Sequence, residues 1–406
     1  MSDQERVPTT RRLKIEETTY FWDRLRGISA GINDAVFSTF ILLICIRVFD
    51  ASSTQKSIVA SALWIGMFLM PVFLWLASYF RFRCNIACVI YTSTTALCFT
   101  ASMFFKSTEY FIGAVTLSMI IGVQGFTLLP RILAENYRPE IRGKRVGTTV
   151  MIGGLVFLFC SLSFGYLMDA SLDNYIWVLG SAAAAYYAVA FFYFHIPSPR
   201  LKRPKSRFPY HTIQLFWKNP HFAKLSLLWS LLEFGNYMMI PIRMEFLANE
   251  VYGMNLTNSQ ITWLFAMLPM IIALISSRTW GRFFDMFRLE TTQALIGGLL
   301  IVSTLLFFVS TNYWVMLLSM AIFGLSHGAQ KIHNHLWITK VVPKHTVADY
   351  ISAFSILNGF RGILAPVTAY WILSMFQPAA AANIALVVIA VGTIALLFAR
   401  KSITTN

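Results

Sequence analysis

Charge is what this sequence has least of. Only 13% of its 406 residues are Asp, Glu, Lys or Arg, against about 25% in soluble globular domains. With 57% hydrophobic residues, that composition belongs to a membrane protein and excludes an ordinary solvated surface. Cysteine is scarce too. Cys45, Cys84, Cys88, Cys98 and Cys160 all lie within or at the ends of apolar runs. The closest pair, Cys84 and Cys88, has CxxxC spacing, which is neither a zinc ribbon nor a redox pair; the five read as small hydrophobes. The stretch MSDQERVPTTRRLKIEETTY lacks an apolar core before Tyr20, so no signal peptide is expected and the first apolar run should insert as an anchor. No GxxxxGK[ST] phosphate loop occurs, so ATP is not expected to power the chain from within.

What is present is a succession of apolar runs, each long enough to cross a hydrocarbon core of ~30 Å. They predict an all-α integral membrane protein with twelve spans at about 27–49, 57–79, 85–105, 110–134, 146–168, 175–195, 222–247, 259–279, 291–310, 314–341, 349–375 and 380–399.

Lys and Arg are unevenly distributed between the connections. One set holds Arg11, Arg12, Lys14, Arg24 and Arg26, then Arg81 and Arg83, then Arg138, Arg142, Lys144 and Arg145, and five more in PSPRLKRPKSRFPYH. The alternate loops DASLDN, STNY and QPAA carry none, with Lys56 and Lys106 the exceptions. Cytoplasmic loops are the basic ones, so both termini are expected in the cytoplasm of a multi-pass protein of the cell membrane, a bacterial inner membrane. The net charge of +15 is spread over every inner loop. It points to anionic lipid as a partner rather than nucleic acid.

Residues 196–221 are rich in Pro and basic residues and form the one real linker. The expected organisation is a cytoplasmic segment 1–26, a six-helix bundle 27–195, the basic linker 196–221, a second six-helix bundle 222–399 and a cytoplasmic tail 400–406. The halves match. Gln124-Gly125 and Pro139 recur as His327-Gly328 and Pro343, Pro71 and Ser78 recur as Pro269 and Ser276, and Gly31 with Asn33 recurs as Gly235-Asn236. A common offset of about 198–204 residues is the mark of an internal duplication.

Six plus six spans, a basic central loop and matching halves resemble the major facilitator superfamily of secondary transporters, over essentially the whole chain. The loop GRFFDMFRLE between spans 8 and 9 is similar to the family's G-x-x-x-D-[RK]-x-G-[RK]-[RK]: Gly281 and Asp285 match, while Met286 and Arg288 depart. The corresponding loop of the first half, SYFRFRCN, has neither Gly nor Asp. VQGF in span 4 matches a family Q-G pair, with Ile121 where an arginine is usual, and NYRPEIRGKRVG after it fits. Span 5, GGLVFLFCSLSFG, lacks the Gly-Pro of drug/proton antiporters. The resemblance implies a gating set of Gly281, Asp285, Arg288 and Arg142, with the acid capping and pairing with a neighbouring helix end to latch one arrangement. It also implies a cavity lined by spans 1, 4, 7 and 10, and a chain that acts as a monomer.

Ionisable residues inside the membrane cost about 2.5–3.5 kcal/mol each on insertion scales and mark function or pairing. In span 10, LSHGAQKIHNHLWITK places His327, Lys331 and His335 at i, i+4 and i+8 on one stripe, with Asn334 beside it and His333 on roughly the opposite side. No carboxylate accompanies them, so a metal site of the HExxH kind is not expected. Lys331 either faces a polar cavity or pins two helices. Span 1 offers Asn33 and Asp34, the latter a proton site or the partner of Lys331 or Arg361. Span 7 offers Glu233, Asn236 and Tyr237 on one face, with Arg243 and Glu245 nearer the outer end as gate or vestibule residues. Span 11 has Asn358 and Arg361, with Gly359, Gly362 and Pro366 allowing a bend. Gln124 stands in the first half where His327 stands in the second, and Arg131 and Glu135 read as a local ion pair.

The substrate and ion set is thus Asn33, Asp34, Gln124, Glu233, Asn236, His327, Lys331, His335, Asn358 and Arg361. The expected function is secondary transport of a small polar, anionic or zwitterionic solute by alternating access, proton-coupled through Asp34 and Glu233, with no cofactor and no enzymatic activity. Export of divalent metals or drugs is the alternative within the fold; a non-transporting sensor lacks a soluble output domain in this sequence.

Overall fold

The computed structural model describes residues 9–104, 107–204, 208–252, 254–343 and 346–403, and among these the side chains of residues 9, 335, 336, 348 and 400–403 are outside the description. Lys106 lies outside it as well, and so does the His335 side chain.

Among the described residues twelve helical segments are long and apolar enough to span a membrane: α1 Thr10–Arg47, α2 Ser53–Tyr79, α3 Cys84–Phe104, α4 Thr108–Asn136, α5 Pro139–Ala170, α6 Leu172–His195, α7 Pro220–Ala248, α8 Asn258–Met286, α9 Leu289–Val309, α10 Tyr313–Asn334, α11 Asp349–Leu373 and α12 Pro378–Ala399. With no membrane water to satisfy exposed backbone groups, helices that close their own hydrogen bonds are the form such runs must take. Among the described residues the sole strand-like pairing is an isolated bridge between Arg83 and Arg200.

Among the described residues three spans change helix type in their interior. α1 passes through a π-helical turn at Val36–Phe40, directly after Asn33 and Asp34. α4 tightens into a 3-10 turn at Val123–Thr127 that contains Gln124. α8 has a π turn at Trp263–Met267. Such irregular turns inside α-helices concentrate at functional sites.

The chain divides into two compact units. The first comprises residues 1–41, 69–164 and 173–209; the second comprises 42–68, 165–172 and 210–406. In the first, α3 packs on α6 and on α4, and α1 packs on α6. Glycine lets α1 approach α5: a Cβ at Gly27 would lie 2.8 Å from the Thr149 methyl, and one at Gly31 would overlap the Gly153 carbonyl. In the second, α7 packs on α12 and α11, α8 on α10, and α9 on α10 and α12. Its core is aromatic where α7, α10 and α11 meet, with Phe222, Trp229, Trp337, Tyr350 and Phe354 buried together.

Candidate functional site

The polar centre of the second unit is built on α7 and α11. Helical periodicity puts Ser230, Glu233 and Tyr237 on one face of α7, with Asn236 adjacent. Arg361 of α11 is 3% exposed. Its Nη1 donates to Ser230 Oγ at 3.1 Å and its Nη2 to Tyr237 Oη at 3.4 Å. The guanidinium carbon stands 5.2 Å from the Tyr237 ring centre and 5.7 Å from that of Phe354. Trp64 of α2 covers the other side of Tyr237, with ring centres 4.4 Å apart. Trp64 can come so near because residue 362 is glycine: a Cβ there would overlap the indole, and one at Gly359 would lie 2.7 Å from the Phe68 backbone nitrogen. The glycines of α11, read from sequence as bend points, therefore serve close packing against α2.

Glu233 is 1% exposed, and Asn236, Tyr237 and Arg361 lie within electrostatic reach of its carboxyl group. Tyr237 accepts from Arg361 and stands near both charges. The charges do not pair directly. Ion pairs within 4.0 Å among the described residues include Arg26–Asp23, Lys56–Glu245, Arg138–Glu16 and Arg145–Glu17. Three buried atoms at this centre have no hydrogen-bond partner among the described residues: Glu233 Oε1, Arg361 Nε and Asn358 Oδ1. Buried polar groups are normally satisfied, so the three unpartnered atoms mark this centre as unusually polar for its burial.

The α10 stripe divides. His333 is fully buried beside this centre, its ring 4.3 Å from Trp229 and its Nε2 3.0 Å from the Gln293 amide nitrogen. Asn334 accepts from Trp229 Nε1 at 3.2 Å. His327 and Lys331 take another side. His327 stacks on Phe323 of its own helix, and Lys331, an exposed side chain, reaches Met270 of α8 with Nζ 3.4 Å from the sulfur. The structure therefore brings Glu233, Asn236, Asn358 and Arg361 together and sets His327 and Lys331 apart from them. Sequence reasoning missed Ser230, Trp64 and Gln293; a lone serine, an aromatic and an amide in apolar runs carry no sign of their partners.

Arg243 is enclosed rather than lining a vestibule. It is 2% exposed, donates to Ser303 and Thr304 hydroxyls at 3.1 and 3.2 Å, and lies between the Phe307 and Phe323 rings.

In the first unit, Asn33 and Gln124 are buried. Gln124 Nε2 donates to the Ile120 carbonyl at 2.6 Å, tying the 3-10 turn to the helical turn before it. Asp34 is exposed on α1, within electrostatic reach of Tyr186. The expected Arg131–Glu135 pair is not formed within 4.0 Å; both side chains are exposed. Of the gating set, Arg142 is exposed in the first turns of α5, and Gly281 faces open space. Asp285 sits exposed in the last turn of α8, and α9 starts from Arg288 as N-cap with no side-chain cap bond.

The family model for the Major Facilitator Superfamily matches residues 27–366. The chain belongs to the Major Facilitator Superfamily. Solved structures of similar fold include the nucleoside transporter NupG (TM-score 0.73, 14% identity, 94% of this chain and 98% of that one). A bacterial homolog of the human lysosomal transporter Spinster, inward-facing and occupied, has TM-score 0.70 and 14% identity, with 97% and 98% of the chains covered. A D-xylose-proton symporter gives TM-score 0.67, 17% identity, and 94% and 96% coverage. No curated protein sequence matches. At these identities the likeness establishes the fold. The superfamily member described here is a multi-pass membrane protein with the transporter architecture that its sequence predicts.

Proposed function

We propose that this protein is a secondary active transporter that moves a small zwitterionic or anionic solute by alternating access, coupled to protons. The observation that carries the reading is the Glu233–Arg361 centre: opposite charges in one buried site, more than 4.0 Å apart, with Tyr237 near both and each with an unpartnered atom. A guanidinium fork is suited to a carboxylate. A carboxyl group beside it accepts the ammonium of a zwitterion, or takes a proton when the solute is an anion, since an isolated buried carboxylate is costly.

In this scheme the bodies that move are residues 27–195 and 222–399, the termini face the cytoplasm of a bacterial inner membrane, and the chain works as a monomer. Asn33, Asp34 and Gln124 from one half and His327, Lys331 and His335 from the other contribute further polar contacts along the solute's path. Asp34 is the second proton carrier, and Gly281, Asp285, Arg288 and Arg142 act at the inner gate. Proteins of this fold include a proton symporter for D-xylose and a nucleoside transporter, and that range supports a reading with proton coupling and a polar solute. Export of a divalent metal is less favoured: among the described residues no group of three or more His, Cys, Asp or Glu converges on one point.

The test is a thermal-shift screen of purified protein against amino acids, small carboxylates, phosphates, sugars, lipophilic cations and divalent metals at pH 5.5 and 7.5. A ligand at 100 times its Kd stabilises the folded state by about 2.7 kcal/mol. A zwitterion or anion that stabilises the wild type and not Arg361→Gln supports the reading. Stabilisation confined to metals or lipophilic cations overturns it.

A further inference from the structure

Where α7 begins, α8 gives way to α9 and the helix of α10 ends at Val341, the second unit opens a cavity of about 270 Å³. His221, Arg288, Glu290 and Lys340 line it, with Leu225 and Leu289 at its floor. Among the described residues Arg288 makes no ion pair within 4.0 Å, and it forms no cap bond to α9. Lys340 donates to the Phe284 carbonyl and lies 3.9 Å over the Phe284 ring centre. An ammonium has three donors, so capacity remains for a ligand. Leu289 and Glu290 bring the first turn of α9 to the cavity wall. The first N–H groups of a helix have no partners within it, and the helix dipole there favours an anion. Against two fixed cations and a histidine stands one acid, Glu290.

The chain next to the lining residues is apolar and exposed. Met286 is 77% exposed and Phe287 40%, immediately before Arg288, and Trp217, four residues before His221, is 74% exposed. A soluble anion gains nothing from such neighbours, whereas a phospholipid brings a phosphate and hydrocarbon together. We propose that this cavity binds the phosphate of an anionic phospholipid, with Arg288 and Lys340 on the phosphate oxygens and the acyl chains against Met286 and Phe287. Basic pockets between spans on the cytoplasmic side suit such headgroups. The assignment gives Arg288 a ligand of its own and does not depend on which solute is carried.

Delipidated protein in neutral detergent is titrated with phosphatidylglycerol, phosphatidylcholine or soluble glycerol phosphate, and binding is read by native mass spectrometry and by thermal shift. The expected result is stabilisation by phosphatidylglycerol alone, with apparent affinity about tenfold weaker or worse in the Arg288→Gln/Lys340→Gln double variant. Equal phosphatidylglycerol binding by wild type and double variant reduces the contact to a general lipid annulus and overturns the site. Glycerol phosphate binding as tightly as the lipid overturns the lipid assignment in favour of a free phosphate. Should the double variant not fold, Arg288→Gln is compared with Arg282→Gln, an exposed arginine of α8 outside the cavity; equal loss in the two also overturns the proposal.

Discussion

Lys56 Nζ lies 2.6 Å from Glu245 Oε1, with the two side chains 10% and 2% exposed. Both belong to the second unit, joining the start of α2 to the end of α7. The contact is an ion pair rather than an aligned hydrogen bond, since Oε1 accepts none. Asn249 donates to the other oxygen at 2.9 Å, and the ammonium also faces the Tyr370 ring at 5.6 Å. A lysine that breaks the charge asymmetry of the loops is thereby explained: it is neutralised inside the fold rather than displayed on the outer side.

Breaking such a pair from one side leaves a buried carboxylate alone, which costs about 3–5 kcal/mol. Lys56→Met is therefore expected to lower the melting temperature in detergent sharply, and Lys56→Met/Glu245→Gln to recover most of the loss. Thermal melts of the two variants decide it; a double variant no more stable than the single one refutes the coupling.

The basic end of the first unit holds ion pairs of different worth. Asp23 is fully buried, 2.8 Å from Arg26 Nε, and accepts from Thr149 Oγ1 at 2.9 Å. Glu17 pairs with Arg145 at 2.5 Å but is 65% exposed. Exposed pairs contribute about 0–1 kcal/mol. Asp23→Ala should destabilise strongly and Glu17→Ala hardly at all, although the exposed pair is the shorter. Chemical or thermal unfolding of both variants tests whether burial or distance decides.

Glycines in the spans should separate in the same way. A side chain at residue 359 meets the Phe68 backbone, which cannot rotate aside, whereas a Cβ at Gly298 meets nothing within 4 Å. Overpacking costs about 1–3 kcal/mol or more, while Gly→Ala in an open helix position gains up to about 1 kcal/mol in helix propensity. Gly359→Val is expected to melt early and Gly298→Ala to melt at or above the wild-type temperature. The reverse order would contradict the packing of α2 on α11.

The spans and their number were legible because hydropathy reports burial in hydrocarbon directly. Helix ends were not: span 1 was expected from residue 27, yet the chain is already helical at Thr9, where the described residues begin. The hydrocarbon limit fixes only the apolar part of a helix, and residues 10–26 continue it through contacts such as Glu16 with Arg138 and Thr19 with Asn136. Partners across helices were least legible. Lys56 and Glu245 are far apart in sequence, and no periodicity within either helix names the other. Helix periodicity did place Glu233 and Tyr237 on one face, and it set His333 away from Lys331. It could not show that His333, and not Lys331, lies beside the Arg361 centre.

If Glu233 carries the coupling proton, replacing it by Gln fixes the site in its protonated, neutral form. Gln retains one carbonyl acceptor and adds an amide donor, so the Arg361 contacts and the fold should survive. Solute exchange needs binding and the conformational change but no proton release, so Glu233→Gln protein in liposomes should still exchange labelled for unlabelled solute. Accumulation driven by a proton gradient needs the proton to leave on the second side, and it should fall about tenfold or more. Asp34→Asn provides the comparison: loss of driven accumulation there too assigns two coupled carboxyls, whereas unchanged accumulation assigns the coupling to Glu233 alone. Driven accumulation that persists undiminished in Glu233→Gln would remove this residue from the proton path and leave it as a buried acid within electrostatic reach of Arg361.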